Sequence, residues 1–194
     1  SVIDVAKGYE DAGVCGMSVL TDGKYFGGSL EDLNIARAVT NFPLLRKDFI
    51  INEYQLIEAK ANGADVILLI ASVLTREEIK KLSTFAQSLG LEVLLEVHNL
   101  EELEKSIMPS LDIFGVNNRN LKTFEVDLNT SRTLVEKIPT DFVKISESGI
   151  SDSAAILDLK TYGFEGFLVG ENFMKTNNPG ASAAAFIKEI EDEA

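Results

Sequence analysis

Seven apolar runs of strand length follow one another at nearly constant spacing, and this regularity constrains the fold more than any other feature of the chain. They are Val14 to Leu20, Pro43 to Phe49, Ala64 to Ala71, Glu92 to Val97, Ile113 to Val116, Phe142 to Ser146 and Gly166 to Gly170. With their carboxyl ends at Thr21, Lys47, Ile70, Glu96, Asn117, Ser148 and Gly170, the successive gaps are 26, 23, 26, 21, 31 and 22 residues. Each gap holds one helix, two short connections and the next strand, which is the spacing of parallel strands joined by helical crossovers.

The intervening segments carry helix signals. Ser29 precedes Leu30-Glu31-Asp32-Leu33, Thr75-Arg76-Glu77-Glu78 has the form of a capping box, and Ser151-Asp152 opens a later helix. Gly13, Gly63, Gly90 and Gly163 stand where helices end in a left-handed residue. The segments Gly63 to Ile70 and Gly163 to Gly170 lie 100 residues apart and share a pattern, which reads as corresponding strands of two half-barrels. The pattern predicts seven strands and eight helices, the first helix being roughly Ile3 to Ala12.

Such alternation builds either an open, doubly wound sheet or a closed (β/α)8 barrel. No Gly-x-Gly-x-x-Gly or Walker loop follows any strand, which disfavours the nucleotide-binding open sheets. The expectation is therefore a single TIM-barrel domain over residues 1–194. Closure takes eight strands and seven are legible, so an eighth is expected before Ser1; the sequence opens on serine, not methionine.

At 194 residues and 45% hydrophobic content the chain can fill one core. Its 18 basic and 31 acidic residues give a formal charge of −13, which disfavours nucleic acid and anionic membrane surfaces as partners. Cys15, the only cysteine, is expected as a buried thiol in a reducing compartment, so the predicted location is cytoplasmic. No run reaches the roughly 18 apolar residues of a membrane span. Two open barrel edges would also offer a surface for pairing with other chains.

Four polar groups end different strands: Lys47, Glu96, Asn117 and Ser148. In a barrel these ends share one mouth, where catalytic groups collect. Each has a plainer account, since a strand-end lysine is commonly solvated and Glu96 would serve as its ion-pair partner. Glu96, however, follows Val93-Leu94-Leu95 out of a dry strand. Its pKa is expected either raised by burial or held down by a cation such as Lys47, and both suit proton transfer. Arg119 offers a fork for a substrate carboxylate, with a loop salt bridge as the alternative. Ser148-Gly149 and Gly170-Glu171 follow the last two strands, where barrels often hold phosphate on backbone N–H groups. His98, the only histidine, is placed just past Glu96 on the opposite face. Phe26 lies in a loop suited to covering a planar ligand or to packing on the rim.

Several of these stretches carry a family resemblance. Ser18-Val-Leu-Thr-Asp22, Lys24-Tyr-Phe-Gly-Gly-Ser29, Leu45-Arg-Lys-Asp-Phe-Ile50, Leu95-Glu-Val-His98, Gly115-Val-Asn-Asn-Arg119, Ser146-Glu-Ser-Gly-Ile150 and Val169-Gly-Glu171 closely resemble the indole-3-glycerol phosphate synthases of tryptophan biosynthesis, from end to end of the chain. The resemblance implies ring closure of 1-(2-carboxyphenylamino)-1-deoxyribulose 5-phosphate with loss of carbon dioxide and water, and no metal or organic cofactor. It implies that Lys47 contacts the substrate carboxylate and acts as an acid, and that Glu96 is the base of the dehydration. Asn117 and Arg119 would orient the substrate, Ser148 would lie along its chain, and Phe26 would lie near its ring. Backbone groups of Gly149, Gly170 and Glu171 would hold the phosphate. The family's first strand, with the Glu-x-Lys pair at its end, is not matched by any strand of this sequence, so a non-catalytic fragment or assembly unit is the rival expectation. Phosphoribosylanthranilate isomerase is a further rival, but the context of Cys15 does not match that family's early cysteine strand.

Overall fold

The computed structural model describes residues 1–193. Its seven strands are β1 (Met17–Leu20), β2 (Leu44–Lys47), β3 (Val66–Ile70), β4 (Glu92–Val97), β5 (Ile113–Asn117), β6 (Val143–Glu147) and β7 (Gly166–Leu168). All neighbouring pairs are parallel and the spatial order follows the sequence, β1 to β7. This is the TIM-barrel-like α/β arrangement that the spacing predicts, with β1 and β7 each paired on one side only.

One helix precedes β1 and the others follow the strands. They are α1 (Val2–Asp11), α2 (Leu30–Val39), α3 (Glu53–Ala61), α4 (Arg76–Ser88), α5 (Leu100–Ser106), α6 (Asn129–Leu134), α7 (Ser153–Thr161), α8 (Glu171–Met174) and α9 (Pro179–Glu193). The described residues thus hold nine α-helices where eight are predicted, because the segment after β7 divides into the four-residue α8 and the longer α9. Thr75 and Glu78 form the expected capping box, and Ser29 and Asp152 cap α2 and α7. Gly13, Gly63, Gly90 and Gly163 all have positive φ, which stops each helix and turns the chain into the next strand.

Alternation along the strands sorts the side chains into two layers. Leu45, Val66, Leu68, Ile70 and Leu94 form an inner cluster with Ile113, Ile145 and Leu168 packed against it. Leu44, Ile67, Leu69, Val93, Leu95, Val97, Phe114 and Val116 face the helices in a larger outer core. Arg46 and Asp48 also belong to the outer layer. Arg46 is buried and bonds Thr21, Asp48 and the Gln55 carbonyl, with Glu58 3.6 Å away. Asp48 accepts from the Thr21 hydroxyl at 2.6 Å and from the Phe49 N–H at 2.7 Å. This network fixes the end of β2 and leaves Lys47, between its two members, directed to the inner face.

The sheet curls far enough that α1 meets α9. A Cβ on Gly180 would stand 2.6 Å from the Gly8 Cα, and one on Gly8 would stand 3.1 Å from the Gly180 Cα. Neither helix offers a flexible atom to yield, so Gly180→Ala is expected to destabilise the protein by about 1–3 kcal/mol in urea unfolding. An unchanged midpoint would show that the two helices do not hold this approach in solution.

Cys15 differs from expectation. It lies in the connection between α1 and β1 and is exposed, since β1 begins only at Met17.

Candidate active site

Inner-face positions at the carboxyl ends of the strands bring four polar side chains together. Counting in twos from the inner-layer residues, Leu45 leads to Lys47, Leu94 to Glu96, Ile113 through Gly115 to Asn117, and Ile145 to Glu147. The register aligns Glu96 with Gly115 and Gly115 with Ile145, while Asn117 pairs with Glu147. Gly115 is the small residue of this layer. A Cβ there would overlap the Glu147 carboxylate, so glycine provides the space that this carboxyl occupies.

Glu96 is only 3% exposed. Asn117 Nδ2 donates to Glu96 Oε1 at 3.0 Å, and the amide of Asn117 is oriented in turn by the Arg119 N–H, which donates to Asn117 Oδ1 at 2.9 Å. Burial pushes the Glu96 pKa up, but His98, Lys47 and the Asn117 hydrogen bond outweigh it and hold the carboxyl below its ordinary value. Of the two expectations for Glu96, ionisation held by cations is the one realised.

Two expectations about its neighbours need correction. His98 is beside Glu96, with Nε2 3.2 Å from Glu96 Oε1, and not on the opposite face; two residues along a strand returns to the same side. Lys47 pairs with Glu147, not Glu96: its Nζ lies 3.7 Å from Glu147 Oε2 and acts on Glu96 only through its charge. Glu147 is not singled out by the strand ends, because Ser148 stands as the polar terminus of that run. The usable signal was its place two residues beyond inward-facing Ile145. Glu147 is 1% exposed and neither carboxylate oxygen has a hydrogen-bond partner among the described residues. Burial first and the charge of Glu96 second push its pKa up to about 8, against the pull of Lys47.

The loops after the strands complete the mouth. Ser148 has φ 68° and Gly149 φ 76°, a left-handed turn that is costly for the serine. Asn118 holds it: Nδ2 donates to the Ser148 carbonyl at 3.1 Å and to Ser146 Oγ at 3.0 Å, while Oδ1 accepts from the Ser131 N–H and hydroxyl. Arg119 forms a 3.0 Å salt bridge to exposed Glu171 at the start of α8, the loop salt bridge named as its alternative. Phe26 stacks on Phe49, with centroids 5.6 Å apart and planes 6° from parallel, while Tyr25 meets Phe49 edge-on. A cavity of about 1100 Å³ extends from this mouth along the free edges of β1 and β7. Phe26, Lys47, Arg119, Glu147 and Ser148 line it, as do Gly149, Gly170 and Glu171, whereas the buried Glu96 and Asn117 do not.

A curled parallel sheet with cationic and carboxylic side chains gathered at the carboxyl ends of its strands defines a barrel enzyme of the TIM type. Solved structures agree on the fold. The 3-hexulose-6-phosphate synthase from Salmonella typhimurium aligns with TM-score 0.77 at 14% identity, over 98% of this chain and 92% of that one. KGPDC from Streptococcus mutans aligns with TM-score 0.74 at 16% identity, over 98% and 91%. Sequence comparison is more specific. The family model for indole-3-glycerol phosphate synthase matches residues 1–188. The Bacteroides thetaiotaomicron indole-3-glycerol phosphate synthase is 50% identical over 188 residues, 97% of this chain and 72% of that protein. The Aquifex aeolicus enzyme of the same name is 49% identical over 176 residues, 90% and 68% respectively. The chain belongs to the indole-3-glycerol phosphate synthase family.

Proposed function

We propose that this protein closes the indole ring of 1-(2-carboxyphenylamino)-1-deoxyribulose 5-phosphate and releases indole-3-glycerol phosphate, carbon dioxide and water, as a carbon–carbon lyase of tryptophan biosynthesis. Family membership supplies the reaction, and the gathering of Lys47, Glu96, Asn117 and Glu147 on one inner face is the observation that supports it most directly. Lys47 sits where an ammonium can meet the substrate carboxylate and give a proton during ring closure. Glu96, kept ionised, takes a proton as the hydroxyl departs in the dehydration.

Asn117 orients both Glu96 and the substrate hydroxyls, with Arg119 beside it. Ser148 runs along the substrate chain. The backbone of Gly149, Gly170 and Glu171 receives the phosphate; the Glu171 carboxylate is turned aside by Arg119, which spares the phosphate its charge. Phe26, stacked on Phe49, caps the aromatic ring. The substrate is a phosphosugar anion, and the local charge of Lys47 and Arg119 draws it into an otherwise acidic protein.

The test is direct turnover. Incubated with the carboxyphenylamino-deoxyribulose phosphate, the full-length protein that carries this chain is expected to generate the fluorescence of the indole product. A well-folded full-length protein that produces none overturns the proposal.

A further inference from the structure

We infer that His98 is a positioning residue for Glu96: clamped between Glu96 and Glu102, its imidazolium fixes the Glu96 carboxylate and keeps it ionised as the base. The inference rests on the reading of Glu96 as the base of the dehydration. Its geometry is independent of that reading. His98 Nδ1 is 3.1 Å from Glu102 Oε2, and the same oxygen accepts the His98 backbone N–H at 2.7 Å. Glu102 is itself tied to the cap of α5, where its N–H donates to Asn99 Oδ1. The ring is therefore anchored from the helix side, and its other nitrogen is presented to Glu96 at 3.2 Å. That second contact lacks the alignment of a hydrogen bond, so it acts as an ion pair.

Four titratable groups surround this pair. Glu102 comes from α5, with Lys105 acting on it from the same helix; Lys47 comes from β2 and Glu147 from β6. Burial opposes a charged ring, but the two carboxylates flanking it prevail and raise the His98 pKa to about 9. Charge on His98 in turn lowers the Glu96 pKa. Without it, a carboxyl this deeply buried would take up a proton at higher pH and be a poorer base near neutrality.

Because His98 is the only histidine, its ring resonances need no assignment by mutation. Nuclear magnetic resonance titration of the parent protein is expected to give a midpoint near 9, falling in both Glu96→Gln and Glu102→Gln. In His98→Gln, the acidic limb of single-turnover product formation is expected to move up by about one pH unit, a roughly tenfold loss at the foot of the limb that recovers on its plateau. A His98→Gln protein whose rate falls equally at every pH, or a parent ring that titrates near 6.5, overturns the inference. The two readings fail differently. Undiminished turnover by Glu96→Gln removes the base assignment itself, whereas a dead Glu96→Gln together with an unmoved limb in His98→Gln removes only the role given to His98.

Discussion

Glu96→Gln is expected to abolish the dehydration, lowering turnover by about 10²–10⁴-fold, while leaving phosphate binding nearly intact. The replacement keeps the shape of the side chain and an oxygen able to accept from Asn117 Nδ2, so the hydrogen bond beneath the site survives. It removes the one group that is both ionised and positioned on the inner face to receive a proton. The phosphate cradle proposed at Gly149, Gly170 and Glu171 belongs to the loops after β6 and β7, not β4, and does not depend on that charge. Turnover by fluorescence and competition by inorganic phosphate separate the two effects. Parallel losses in both would mean that Glu96 serves the structure and not the proton transfer.

Much of this site is legible in sequence because a parallel barrel converts spacing into place. Once apolar runs recur every 21 to 31 residues, the last polar residue of each run must lie at one mouth, and Lys47, Glu96 and Asn117 do. Pairing between strands is less legible. Lys47 and Glu147 meet across the inside of the curled sheet, a contact set by its curvature and by the absence of a side chain at Gly115. No local pattern contains that information. The side taken by His98 is hard to read for another reason: it lies one residue beyond Val97, the last of β4, and the strand's alternation carries on into the loop. Cys15 sits in a run apolar enough to be buried, yet the strand takes up that run only from Met17 and leaves Cys15 in the exposed connection before it.

Glu147→Gln is expected to remove much of the pH dependence of stability between pH 5 and 8. Glu147 has a folded pKa of about 8 against an ordinary 4.5, so the folded protein binds this proton more tightly than the unfolded chain does. The stability it contributes is complete below about 4.5 and is lost as pH rises through about 8. His98 acts in the same sense, its contribution being complete below about 6.5 and lost through about 9. The parent should therefore melt at progressively lower temperature across this range, and the glutamine variant, with no proton to lose at 147, should fall less. In calorimetry the gap between the two Tm values should widen toward pH 8; parallel curves would show that Glu147 titrates as an ordinary solvated carboxyl. The same proton bears on catalysis. While Glu147 is neutral, the Lys47 charge 3.7 Å away is not cancelled and would remain available to the carboxylate of the proposed substrate. As Glu147 ionises it competes for that ammonium, so KM of the parent should rise on the alkaline side, and KM of Glu147→Gln should stay level there.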